Sequence, residues 1–169
     1  MPVNAHDVSV GLFVRGLVNL KSVLSKAEAH AAVSGMSPLE LIDAQLAPDM
    51  FKLGVQVHWA AEGAKLAAAR LLGAAAVPAS GEARSFAELQ QHIDTTLAHL
   101  RSIAPADLEA GLARSIEIEQ RGGPLKFSGA QFVTEFAIPN FYFHLTTAYG
   151  ILRFKGVPIT KGDFLGNSR

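Results

Sequence analysis

The apolar positions of the chain fall into four long runs with helical spacing and one short stretch of strict alternation. The first run covers about 6–33, with Val10, Val14, Leu17, Leu20, Leu24, Ala27 and Ala31 on one face, Asp7 near its start and Gly35 as its stop. Ser37-Pro38-Leu39-Glu40 reads as a capping box with proline at the first helical position, heading a short helix through Leu46 that Pro48 breaks. The second long run spans about 50–72, with Asp49 as its N-cap and Gly73 as its C-terminal stop. Alanines at 60, 61, 64, 67, 68 and 69 favour helix and let neighbours approach closely. Its face through Phe51, Val55, His58 or Trp59, and Glu62 is more polar than a core face should be.

A loop over 74–84, with Pro78 and Gly81, leads to a second capping box, Ser85-Phe86-Ala87-Glu88. The third long run follows, with Phe86, Leu89, Ile93, Leu97, Leu100 and Ile103 as its inner stripe and Pro105 at its end. His92 and His99 lie seven apart outside that stripe and are expected in solvent. Between 113 and 127 the period drops to two: Ile116 and Ile118 alternate with Glu117 and Glu119, and Leu125 and Phe127 flank Lys126 beyond Arg121-Gly122-Gly123-Pro124. This is a β-hairpin, and an isolated hairpin is marginal in water, so its apolar side is expected against the helices.

The last run, 128–156, reads SGAQFVTEFAIPNFYFHLTTAYGILRFKG and carries Phe132, Phe136, Phe141, Tyr142, Phe143, Tyr149 and the lone His144. Pro139, about three turns in, is expected to kink or divide it. Gly156 and Pro158 stop the helix, and the tail is expected to dock through Phe164 and Leu165. The elements add up to an all-α fold, an up-down-down-up type four-helix bundle with a small β-hairpin inserted before the last helix, in one domain over 1–169.

Composition narrows the range of functions. Fifteen basic residues balance fifteen acidic ones, so no basic stripe is available for nucleic acid, and a near-neutral surface suits a homodimer. Cysteine is absent, which excludes disulfides, thiolate metal sites and cysteine nucleophiles. The first residues lack the pattern of a signal peptide, and Lys65, Arg70, Asn140 and His144 interrupt the richest apolar stretches before they reach a membrane span. A cytoplasmic protein without a membrane partner is expected.

His58 and Glu62 lie four apart, one turn along a single helix face, and His144 on the last helix is their natural partner. Burial among aromatics would keep its imidazole neutral, as a metal ligand must be. Each residue also has a plainer reading: His144 as a hydrogen-bonded core side chain, Glu62 as an i,i+3 partner of Lys65 on a solvated face, and His58 or Trp59 facing solvent or a subunit interface. Asn140, Tyr142, Thr146, Thr147 and Tyr149 offer hydrogen-bonding groups that could line a pocket. No phosphate loop, nucleophile elbow or HExxH pair occurs, and no catalytic residue is assigned.

The polar second helix and the ending NFYFHLTTAYGILRFKGVPITKGDFLG resemble the DinB/YfiT-like superfamily of metalloenzymes. The chain looks most like a small bacterial branch of unknown function marked by APDMF, a QV-containing helix with an acid and a lysine, and NFYFH. Here these are Ala47 to Phe51, Gln56-Val57 with Glu62 and Lys65, and Asn140 to His144. Metal-binding members use three histidines, one from the second long helix and an HxxxH pair from the last. The resemblance sets His144 at the first position of that pair and either His58 or Glu62 on the second helix, but the fourth residue after His144 is Ala148, which has no ligand atom.

Three functions stay open. One is a bundle that binds a small molecule in an inter-helix pocket of Asn140, Phe141, Tyr142, His144 and Tyr149, without a full metal site or any cofactor. The second is a divalent-metal enzyme with zinc, nickel or iron held by His58, Glu62 and His144, of the thiol-dependent transferase or isomerase type that the resemblance implies. The third is a structural or dimer-forming module with His144 in its core.

Overall fold

Each apolar run of the sequence becomes a helix that packs through the stripe it carries. A computed structural model describes residues 4–75, 81 and 83–166. Helix α1, Val10–Ser34, buries Phe13, Leu17, Leu20, Leu24, Ala27 and Ala31 and ends at Gly35, whose φ of 72° is left-handed backbone open to a residue without a Cβ. Helix α2, Pro38–Ile42, is a single turn with no side-chain cap from Ser37, so the first expected capping box does not close. Glu40 turns outward instead to Lys155, 2.7 Å away. Helix α3, Leu53–Leu72, starts after Lys52, not at Asp49, and ends at a left-handed Gly73.

Helix α4, Phe86–Arg101, follows Ser85, whose Oγ accepts from Glu88 N–H at 3.1 Å, while the Glu88 carboxylate accepts from Arg84 N–H at 2.7 Å. Its whole expected stripe is buried, from Phe86 to Ile103. Pro105 stops this helix and starts the next, α5, Pro105–Glu109, where its fixed φ suits a first helical turn. The loop over 76–80 lies outside the described residues.

Strands β1, Ser115–Ile118, and β2, Leu125–Ser128, pair antiparallel with Ile116 opposite Phe127 and Ile118 opposite Leu125. Ile116 and Ile118 are buried and Phe127 partly so, while Leu125 is exposed. Phe127 packs against Phe132 and Phe136 at ring-centroid distances of 6.3 and 6.1 Å, which seats the hairpin on the last helix.

That helix begins with a capping box not anticipated from the sequence: Ser128 Oγ accepts from Gln131 N–H, and Gln131 Oε1 accepts from Ser128 N–H. It then runs on without a break as α6, Gly129–Gln131, a π-helical segment, Phe132–Ala137, and α7, Ile138–Phe154. Pro139 does not divide it. A proline ring crowds the carbonyl four residues back, and the wider π turn just before it, where Ile138 N–H reaches Val133 O, takes up that crowding.

Around the bundle, α1 neighbours α4, α4 neighbours α3, α3 neighbours α7, and α7 returns to α1; the α3–α7 interface is the most extensive. The tail forms α8, Lys161–Leu165, where Phe164 meets Tyr149 at 5.6 Å and its carbonyl accepts from Asn19 Nδ2 at 3.1 Å. Leu165 stays exposed. Among the described residues no helix is long and apolar enough to cross a membrane.

Candidate functional site

The α3–α7 interface contains the most informative polar contact in the molecule. Gln56, 1% exposed in the first turn of α3, donates from Nε2 to the Phe51 carbonyl at 3.2 Å, which fixes which end of its amide faces the last helix. Its Oε1 lies 2.7 Å from His144 Nδ1. An amide oxygen only accepts, so Nδ1 must carry the proton. Burial pushes the His144 pKa down from its ordinary value, so the ring is neutral near pH 7 and Nε2 keeps its lone pair. Nε2 makes no hydrogen bond among the described residues. The three motifs APDMF, QV and NFYFH are therefore one relay: Phe51 carbonyl, Gln56 amide, His144 ring.

His144 borders a pocket of about 210 Å³ between α3 and the last helix. Trp59, Gly63, Leu66, Ala67 and Arg70 line it from α3. Phe132, Phe136, Ala137, Asn140 and His144 face them from the last helix, and Ile118 of β1 closes one side. Small residues on α3 open this space: a Cβ on Gly63 would lie 3.5 Å from Asn140 Nδ2, in ordinary contact. The π-helical segment supplies Phe132, Phe136 and Ala137, and such segments recur where helices are adapted to function.

Of the five residues expected to form the ligand pocket, Asn140 and His144 share it, being one turn apart on the same face. The other three point elsewhere. Phe141 packs edge-on against Phe13 at 5.0 Å in the core, and a Cβ on Gly16 would lie 2.6 Å from its ring. Tyr142 lines a separate groove with Arg15, Asn19 and Phe164, and Tyr149 packs on Phe164.

The set His58, Glu62 and His144 is not brought together. His58 and Glu62 lie on the side of α3 that faces α4, where the His58 ring stacks on His92 at 5.0 Å and 11°. Glu62 is fully buried, not solvated, and holds Lys65 Nζ at 2.7 Å. His92, expected in solvent, is half-buried with Nε2 3.4 Å from Glu62 Oε1. That is an ion-pair distance, yet Nε2 has no hydrogen-bond partner among the described residues. Burial is the dominant influence on His92 and lowers its pKa, outweighing the nearby Glu62 carboxylate; the charges of His58 and Lys65 push the same way as burial, and a hydrogen bond to the His58 backbone opposes it. Imidazole lone pairs lie in the ring plane, so two stacked rings direct them along parallel planes and not to one point.

The residues present therefore do not fit the three-histidine metal set. His144 meets a glutamine, Ala148 is a buried methyl group, and His58 faces another helix. Among the described residues no three His, Cys, Asp or Glu side chains come together to hold a metal ion.

The signals overlooked in the sequence were small ones. Gly63 interrupts an alanine-rich helix, and Arg70 lies one turn beyond Ala67 and Leu66 on the same face.

Comparison with known proteins agrees with this architecture. A family model described as a domain of unknown function, DUF1993, matches residues 5–165. The crystal structure of a DinB family member protein from Shewanella denitrificans is 38% identical, with 95% of this chain and 91% of that chain covered and a TM-score of 0.84. No curated protein matches. The helical bundle, the hairpin before its last helix and the match along nearly the whole chain lead to one conclusion: the chain belongs to the DUF1993 family and has the DinB fold.

Proposed function

We propose that this protein binds a small organic molecule in the pocket between α3 and the last helix, with His144 as a fixed hydrogen-bond acceptor. The observation that supports this is the orientation of His144: Gln56 holds the proton on Nδ1 and leaves Nε2 without a partner among the described residues, beside a cavity with aromatic walls. A mostly apolar cleft with a few convergent polar groups is the usual form of a ligand site. Binding here needs no metal, and the reading assigns no reaction.

Protein-observed NMR with a library of small ring compounds tests the proposal. Binders are expected to shift the backbone signals of Gly63, Asn140 and His144 together, and Gly63→Leu, which fills the pocket, is expected to abolish those shifts while the fold is kept. Hits that cluster elsewhere, or that survive Gly63→Leu unchanged, would remove the basis for this function.

A further inference from the structure

We infer that the pocket selects a small carboxylate, its anionic group paired with Arg70 at one end and a hydrogen-bond donor of the same molecule paired with His144 at the other. This rests on the pocket being a ligand site and adds the chemical class of the ligand.

Arg70 lies in the last turn of α3 and lines the pocket, half-buried beside aromatic walls. Among the described residues it has neither an acidic partner nor a side-chain hydrogen bond. The partly covered lysines differ: Lys21 reaches Asp94, Lys65 reaches Glu62 and Lys155 reaches Glu40. A cation drawn out of water without a counter-charge is costly, and burial lowers the pKa of Arg70 accordingly. The end of a helix does favour a cation, but that effect does not require the side chain to lie along an aromatic cavity. A guanidinium presents a planar fork of donors that matches a carboxylate in two parallel hydrogen bonds.

The rest of the lining has a matching polarity. Among the described residues no acidic side chain borders the pocket, and with His144 neutral the one formal charge among them in its lining is that of Arg70. The lone pair of His144 Nε2 repels a carboxylate and accepts from O–H or N–H, so the two ends of the ligand are distinguished. His144 is tied to the N-terminal turn of α3 through Gln56, Asn140 lies across from Gly63, and Arg70 is near the C-terminal end. Trp59, Phe132 and Phe136 offer flat apolar surfaces between them. An engineered cavity of about 150 Å³ takes one benzene ring. At about 210 Å³ the pocket suits a single ring with one or two small polar substituents.

Titration of the isotope-labelled full chain with benzoate, benzamide and 4-hydroxybenzoate, followed by NMR, tests this. Benzoate should bind at least tenfold more tightly than its neutral isostere benzamide, with shifts at Gly63 and Asn140. 4-Hydroxybenzoate should gain severalfold over benzoate, and His144→Phe should remove that gain. Arg70→Gln should bring benzoate down to the level of benzamide and leave benzamide unchanged, and Arg70→Lys, which keeps the charge but not the fork, should fall between. Equal binding of benzoate and benzamide, or a benzoate preference that persists in Arg70→Gln, overturns the carboxylate assignment and leaves the pocket reading standing. Failure of all three probes to shift any pocket signal overturns both.

Discussion

A glutamine side chain has a donating end and an accepting end, and at Gln56 the Phe51 carbonyl takes the first, which leaves the second to determine the tautomer of His144. Replacing it by leucine should strand the buried Nδ1–H and lower stability by about 1–3 kcal/mol, read from the urea midpoint. Glutamate at the same position would place a carboxylate beside the ring and should raise the His144 pKa, measurable in an NMR titration of the ring carbons. Acid should act on both the buried His144 and the half-buried His92. Their folded-state pKa values lie below the ordinary 6.5, so the unfolded chain binds protons that the folded chain refuses. Stability should therefore be fully present above about pH 6.5 and decline as pH falls below it, and denaturation midpoints measured between pH 7.5 and 5 should show that slope flattened in a His92→Gln, His144→Gln double variant.

At the scale of elements, Gly63 carries a cost that packing does not explain. Glycine inside a helix is about 1 kcal/mol less favourable than alanine, and a Cβ there would meet Asn140 only at 3.5 Å. Gly63→Ala is expected to raise the urea midpoint by the equivalent of about 0.5–1 kcal/mol and to weaken ligand binding by narrowing the cavity. The elements themselves were largely legible, because Phe86 to Ile103 and Val10 to Ala31 mark their faces by spacing alone and Gly35 and Gly73 mark their ends. Capping was less legible. Ser37 and Glu40 have the right letters, but the helix they head is one turn long and Glu40 is drawn to Lys155, a contact with no trace in local sequence. The π turn before Pro139 was also hidden, since a proline inside a helical pattern signals crowding without saying how the backbone relieves it.

At the scale of the whole molecule, the site depended on how α3 is rotated between two neighbours. His58 and Glu62 share one face and Gln56, Gly63 and Arg70 another; spacing showed the first pairing but not which face meets His144. His92 was misplaced for the same reason, since a polar residue beside an apolar stripe reads as solvated until a polar neighbour across the interface is known. Where backbones meet most closely, substitution should be severe: a Cβ on Gly129 would lie 1.9 Å from the Gly111 carbonyl oxygen. Gly129→Ala should cost about 3 kcal/mol, the upper end for overpacking, and loosen the hairpin first, visible as faster amide exchange at Ile116 and Phe127 than in α1. The hairpin has one further consequence, because Ile118 brings a strand into a pocket otherwise walled by helices. A wall carried on its own anchored appendage can diverge in length and sequence while the ring of four helices stays as it is. Across related chains, ligand preference should therefore change fastest over 115–128, as loops diversify a common scaffold, and a graft of this segment from one relative to another should transfer selectivity without transferring stability.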